Sequence, residues 1–297
     1  MKLLAAPLQG LTEAPFCLAH ATIYGPADEY FTPFMRVEKG QVRPRDIANL
    51  RRCQGQVTPQ LIFRDHAELS LLLDSVRNFG LRRVDLNLGC PFPPQVKTGR
   101  GSGLLRRPEI IEQCLHLLSD FQVSVKMRLG IEAPDEWQPL IPILEAMKPV
   151  HVTMHPRVAR QQYQGTPDID QFETFLARAH FPVIYNGDIS TPADIDYLKD
   201  RYPTLAGIMT GRGLLARPSI FAEYRSEQEW PANRQLSTVR QLHDAILADY
   251  RQRLCGDTQI LAKIQPFWTY LEPLVGHKRV KALNKARTLD AYLSSLP

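Results

Sequence analysis

"VDLNLGCP", Val84–Pro91, begins as a strand and ends in a cysteine held between a glycine and a proline. Its place in the fold depends on what surrounds it. Seven other short apolar or β-branched runs occur along the chain: "LLAAP" (Leu3–Pro7), "YFTPFM" (Tyr30–Met35), "PQLIF" (Pro59–Phe63), "VSVKMRL" (Val123–Leu129), "VHVTMH" (Val150–His155), "FPVIYNG" (Phe181–Gly187) and "LAGIMTG" (Leu205–Gly211). The opening stretch, as "RVDLNLG" (Arg83–Gly89), makes eight. Helical patterns such as "AELSLLLDSVRNFG" and "PEIIEQCLHLLSDF" separate them. Strands alternating with helices predict a parallel sheet. Eight such units predict an α/β fold, a closed TIM (β/α)8 barrel. The alternative is an open doubly wound sheet, but eight near-regular repeats close more readily than they leave two edges exposed.

After the eighth run, "GRGLLARPSIF" is a glycine turn opening a helix, and "SEQEWPANRQLS" (Ser226–Ser237) reads as a polar linker. Three helical stretches follow, the second interrupted by Pro266, where a kink or break is expected. The expected organisation is a barrel over residues 1–230 and a small C-terminal helical domain over 231–297.

With 297 residues and 44% hydrophobic content, the chain can bury a sizeable core. No apolar run reaches the 18 or so residues of a membrane span, so no membrane association is expected. The five cysteines are scattered, odd in number and without metal-ligand spacing. That favours reduced thiols in a cytoplasm and predicts no metal site. The net charge of +5 is localised: from Pro231 onward there are ten basic against five acidic residues, leaving the first 230 neutral. A basic surface confined to one segment suits a polyanion, and a solvated helix face is the plainer alternative.

In a barrel the chemistry gathers where strands end. Strand 3 carries Gln60, and strand 4 ends in Asn87 and Cys90. Strand 5 carries Lys126 and Arg128 on one side by the period of two, and strand 6 runs into His155 and Arg157. Lys126, in an apolar strand, needs an anionic or electron-rich neighbour: a bound ligand, or a structural ion pair with a carboxylate such as Asp85. Strands 7 and 8 end in "NGDI" (Asn186–Ile189) and "TGRG" (Thr210–Gly213), glycine turns of the kind that cradle a phosphate on backbone N–H groups, with Arg212 adding charge. A phosphate cradle beside a lysine, a histidine and amides suits a phosphorylated, electron-accepting ring such as flavin mononucleotide (FMN).

The series "APLQG", "PQL", "DLNLGCP", "VKMRLG", "HPR", "NGDI" and "GRG" resembles, in order, the motifs of the tRNA-dihydrouridine synthase family, from Leu4 to about Leu293. "LNLGCP" followed by "GRGSGLL" is the most specific part. The resemblance implies a TIM barrel with FMN, NADPH as reductant, a helical domain that helps hold tRNA, and a cytoplasmic, monomeric enzyme. It implies Cys90 as the acid that protonates C5 of a uracil, and Asn87 as a residue orienting that base. It also implies flavin contacts from Pro7, Leu8, Gln60, Lys126 and His155, and ribityl or phosphate contacts around Asn186, Asp188, Gly211 and Arg212. Arg157 matches a position near flavin or substrate. Lys97 and Arg100, in a glycine-containing basic loop, and Lys278, Lys281 and Lys285, roughly on one helix face, suit an RNA backbone. Two stretches depart from the family pattern. Pro93, Pro94 and Gln95 stand where relatives carry lysines, and "LAKIQPFWTYL" carries Lys263 and Gln265 where many have other residues. These leave open which uridine, or which RNA, is the substrate; rRNA or a small molecule (a dihydroorotate or enoate type substrate) are alternatives, as is a non-catalytic RNA-binding protein.

Overall fold

The computed structural model describes residues 1–53 and 55–297. Its strands are β1 (Lys2–Ala5), β2 (Glu29–Tyr30), β3 (Val37–Glu38), β4 (Gln41–Val42), β5 (Gln60–Leu61), β6 (Arg83–Leu88), β7 (Gln122–Gly130), β8 (His151–Val158), β9 (Val183–Tyr185) and β10 (Gly207–Thr210). Eight form one sheet in the order β2-β1-β10-β9-β8-β7-β6-β5. The two end strands then meet: Phe31 bridges Thr58 and Met35 bridges Leu61, both in parallel, with Thr32 N–H donating to the Thr58 carbonyl at 2.9 Å. The ring closes, and the eight expected strands make a (β/α)8 barrel.

The second and third strands are shorter than the runs "YFTPFM" and "PQLIF" suggest. Pro33 and Pro59 have no N–H to give to a ladder, so pairing there is intermittent. The sequence reading also missed the hairpin β3–β4. Its turn residues Lys39 and Gly40 both have positive φ, 52° and 77°, the geometry that matches the strand twist of a two-residue hairpin.

Successive residues of a strand face opposite sides. In β6–β8 this sorts Val84, Leu86, Val123, Val125, Met127, Val152 and Met154 from Asp85, Asn87, Ser124, Lys126, Arg128, Thr153 and His155. The polar set faces the barrel interior. Lys126 of β7 reaches Asn186, just beyond β9, at 2.7 Å, and these strands are not neighbours in the sheet, so the contact crosses the inside. Leu4, Ala6, Phe31, Ile184 and Met209 form one buried apolar cluster, with His151 packed edge-on against Phe31.

Two compact units partition the chain. The first comprises Met1–Pro7, Glu29–Gly187 and Tyr202–Met209; the second, Leu8–Asp28, Asp188–Arg201 and Thr210–Pro297. In the second unit, the helix Ala14–Tyr24 packs on the long helix Ala232–Arg253. Tyr24 stacks on Trp230, 5.9 Å between centroids, and His243 sits among Phe267, Trp268 and Tyr292, its Nε2 2.9 Å from the Tyr292 hydroxyl. The stretch expected to be a polar linker is ordered. Trp230 is buried, its backbone N–H donates to the Glu223 carboxylate, Arg234 lies 3.6 Å over its ring, and the helix begins at Ala232 behind Pro231. The break at Pro266 is present: the helix Asp257–Ile264 gives way to a tight 3-10 turn.

Candidate active site

Cys90 follows β6 in a turn held from beneath. The Asn87 side-chain oxygen accepts from the backbone N–H groups of Cys90 at 2.8 Å and Gly89 at 3.1 Å. Asn87 Nδ2 donates to Gln60 Oε1, and Gln60 Nε2 donates to Asp85 Oδ2, both at 2.7 Å. Ser124 donates to the other Asp85 oxygen at 2.7 Å. Register explains the chain: Gln60 on β5 pairs directly with Asp85 on β6, and Asp85 with Ser124 on β7. Because Asp85 only accepts when ionised, every amide in the series has one allowed orientation. Asn87 is thus spent largely on shaping the cysteine turn.

A second strap covers the turn. Gly101, at φ +58°, lies so near that an added Cβ would come 2.7 Å from Cys90 Cβ and 2.9 Å from its carbonyl. Only glycine fits there. Ser102 N–H donates to the Cys90 carbonyl, and Arg128 Nε donates to the Gly89 carbonyl at 3.0 Å. Arg128 was not singled out from the sequence as a site residue; its only signal was the period-two spacing from Lys126. Burial pushes the Cys90 thiol above its ordinary value, outweighing a backbone hydrogen bond at Phe92 and the fields of Arg128 and Lys126. The thiol is therefore protonated at neutral pH, as a proton donor needs to be.

Lys126 makes its hydrogen bond to Asn186 Oδ1, not to Asp85, and Asn186 is fixed in turn by donating to the Met209 carbonyl at 2.7 Å. Burial brings Lys126 down to about 7, with Arg128 adding to the drop and Asp85 opposing it. Asp85 is fully buried and pushed up to about 6, its bonds from Gln60 and Ser124 offsetting only part of the burial. His155 accepts at Nε2 from the Arg157 guanidinium, 3.1 Å away, so the ring is neutral with its proton on Nδ1. Arg157, 1% exposed, also donates to the carbonyls of Gln164 and Gly165 and ties that loop to β8. Gln60, Asn87, Cys90, Lys126, His155 and Asn186 thus all lie in the first unit, on its strands or just beyond them.

A family model described as dihydrouridine synthase matches residues 3–280. The chain belongs to the dihydrouridine synthase family. It is 25% identical over 290 residues to tRNA-dihydrouridine synthase B of Vibrio vulnificus (strain CMCP6), covering 94% of this chain and 85% of that protein. With the Escherichia coli (strain K12) protein of the same name it shares 27% over 272 residues, 88% and 80% of the two chains. Among solved structures it resembles a morphinone reductase (TM-score 0.54, 10% identity, 77% of this chain and 86% of that one) and the old yellow enzyme from Trypanosoma cruzi (0.53, 10%, 77% and 89%). At that identity the likeness is one of fold.

The other dihydrouridine synthase candidates are placed as follows. In the first unit, half-buried Pro7 follows β1, and Lys97 is exposed at the end of the helix Pro93–Lys97. Arg100 is not presented to solvent as a phosphate contact: its guanidinium is 12% exposed and closely paired with both oxygens of Glu68. In the second unit, Leu8 N–H donates to Thr12 Oγ1 at 2.7 Å. Arg212 pairs with Asp188 at 2.8 Å, Asp188 itself at φ +45°. An added Cβ on Gly213 would sit 1.8 Å from the Ile189 carbonyl, so the turn "GRG" depends on glycine there. Lys278, Lys281 and Lys285 are all exposed on the helix His277–Lys285, whose buried residues are Val280 and Leu283. Among the described residues no group of three or more His, Cys, Asp or Glu is placed to hold a metal, and no helix is long and apolar enough to cross a membrane.

Proposed function

We propose that this chain is an FMN-dependent enzyme that reduces the C5–C6 double bond of a uridine in tRNA, with NADPH as the electron source and Cys90 as the acid. The observation that carries the reading is a protonated thiol fixed over a polar barrel interior by the Asn87–Gln60–Asp85 chain. The same interior fits a flavin ring. Lys126 is largely buried, and its hydrogen-bond partner among the described residues is a neutral amide; an electron-rich edge beside it would favour its charged form.

When bound and reduced, FMN supplies the hydride that C6 of the uracil receives. Lys126, His155 and Gln60 would hold the ring, and Pro7 and Leu8 are further candidate contacts; Asn186 fixes Lys126. Asp188, Gly211 and Arg212 are the candidate ribityl and phosphate contacts. Cys90 gives its Sγ proton to C5, and solvent returns one to the thiolate. Asn87 sets the angle at which Cys90 is presented and keeps one amide hydrogen for the base. Arg157 holds His155 neutral and oriented. Lys97 and the exposed lysines 278, 281 and 285 are the candidate RNA contacts, and residues 231–297 are the segment we assign to holding tRNA. The enzyme works in the cytoplasm as a monomer and needs no metal.

The excess positive charge of residues 231–297 favours RNA over a free small-molecule substrate, which would draw nothing from it. The test is a mass-spectrometric map of dihydrouridine in tRNA and rRNA from cells with and without the gene, repeated with Cys90→Ala. Loss at a defined tRNA position, unrestored by the variant, is expected. Loss in rRNA would keep the chemistry and replace the substrate. No loss anywhere would refute the reading.

A further inference from the structure

The stretch "CPFPP", Cys90–Pro94, sets a large apolar side chain in solvent just beyond the acid. Phe92 is 57% exposed. Single exposed apolar side chains are ordinary on a protein surface. Three features set this one apart.

The first is its place. The Phe92 backbone N–H hydrogen-bonds the Cys90 thiol. Proton transfer from Sγ to C5 brings those atoms to about 3–3.5 Å. A uracil so placed lies beside the Phe92 backbone, and the nucleotides joined to it pass close to the ring. The second is how firmly the ring is carried. The Phe92 carbonyl accepts from the N–H groups of Gln95 at 2.8 Å and Val96 at 3.1 Å, at the start of the helix Pro93–Lys97. Pro91 and Pro93 flank the residue, and the position before a proline is restricted to extended conformations, here φ −64° and ψ 117°. Both backbone polar groups are engaged and both neighbours are stiff, so little ordering is left to do on binding. The third is that the fold makes no use of the ring. Tyr163, another exposed aromatic of the first unit, faces His155 and Arg128. Phe92 has no such ring or cation–π contact among the described residues.

We propose that the Phe92 ring is a stacking platform for a base that flanks the target uridine. The proposal rests on the tRNA reading above and adds to it a contact with the strand beside the uracil. A uridine in folded RNA must leave its stack to reach Cys90, and its neighbour then loses a stacking partner. An aromatic ring next to the thiol replaces that partner and accepts any base, because every base has a π-face. Pro93, Pro94 and Gln95 carry no charge, so this part of the loop grips the strand through a ring rather than through phosphates.

The test uses FMN-loaded enzyme, NADPH and unmodified tRNA transcripts, with Phe92→Ala, Phe92→Leu and Phe92→Trp as variants. All three keep the backbone N–H at the thiol. Anaerobic reduction of the flavin by NADPH at the wild-type rate reports an intact fold in each. Phe92→Ala is expected to raise KM for tRNA about tenfold. Its kcat at saturating tRNA should stay within about twofold of wild type, the signature of a binding contact. Phe92→Trp should restore the wild-type KM, and Phe92→Leu, apolar but without a π-face, should not. A stacked base releases no counterion, so in Phe92→Ala the affinity falls while the salt slope of tRNA binding stays at the wild-type value. A wild-type KM for tRNA in Phe92→Ala would overturn the proposal. So would full recovery by Phe92→Leu, which would make the contact a generic apolar one. A raised KM for NADPH with tRNA unaffected would assign the ring to the dinucleotide and overturn it too. A wild-type enzyme that reduces no tRNA uridine is a different result and refutes the functional reading itself.

Discussion

Asp85→Asn separates the hydrogen-bonding role of the buried carboxylate from its charge. An asparagine can keep the chain: its oxygen accepts from Gln60 Nε2, and its NH2 donates to Ser124 Oγ, whose own hydrogen turns to the Val84 carbonyl, 3.5 Å away. What it cannot keep is the titration. Asp85 stands at about 6 in the fold against 3.8 for an ordinary aspartate. Below pH 3.8 the carboxyl is protonated folded and unfolded, so folding pays nothing for it. As pH rises through 6 the unfolded chain ionises first, and folding is penalised by about 3 kcal/mol once both forms are charged. The variant has no such term. Its stability relative to wild type therefore improves by about 2 kcal/mol between pH 4 and pH 7, since part of the penalty is already present at pH 4. Losing Asp85 also removes the field that raises Lys126, and a lower Lys126 pKa adds to the change in the same direction. Urea unfolding of both proteins at pH 4, 5, 6 and 7 measures the difference, in which unrelated groups cancel. A flat difference across that range would refute the buried, raised carboxylate. Asp85→Leu is the companion: it strips Gln60 and Ser124 of their acceptor and should cost about 3–5 kcal/mol at pH 4, and less at pH 7, because it too lacks the titration.

Gly101→Ala forces a Cβ into Cys90 at a positive φ, so turnover of tRNA should fall at least tenfold while flavin binding, read by absorbance, persists. His151 has the opposite pH signature to Asp85: burial holds it at about 4 against 6.5, so folding is penalised as pH falls, and His151→Gln should gain about 3 kcal/mol on wild type between pH 7 and pH 4. Replacing Lys278, Lys281 and Lys285 together by alanine should lower the log–log salt slope of tRNA binding by about three if each meets a phosphate, measured by filter binding between 50 and 200 mM salt. Wild-type salt dependence would remove this helix from the interface.

The barrel was legible because eight apolar runs recur with helical spacing between them, and Cys90 stood out as a candidate because a thiol between glycine and proline at a strand end has few structural reasons to be there. The chain beneath it was not. Gln60 and Asp85 lie 25 residues apart, and their contact depends on strand register, which no local pattern in "PQLIF" or "RVDLNLG" reveals. The same holds for Arg100, whose partner Glu68 is 32 residues distant; from composition alone a basic loop looks available to RNA. Pro231 and Trp230 misled in another way, because a polar, proline-bearing stretch can still begin a helix when one aromatic is buried beside it.

The interior of this barrel is divided by strand, and the division explains where the site sits. β1, β9 and β10 and the chain after β2 send Leu4, Ala6, Ile184, Met209 and Phe31 inward, a packed core that holds the ring closed. β5–β8 send Gln60, Asp85, Ser124, Lys126, Thr153 and His155 inward. Burying polar groups there costs free energy unless they find partners, and most find them across strands: Gln60 to Asp85, Asp85 to Ser124, Lys126 to Asn186, while Thr153 Oγ1 has none among the described residues. Such a network has few alternative arrangements, because reversing one amide sets donor against donor at the next. Rigidity at Cys90 is therefore set by the barrel's polar half as well as by the strap at Gly101 and Ser102. A substitution at Asp85, well below the cysteine in the strand, should be felt as a change in how the acid is presented.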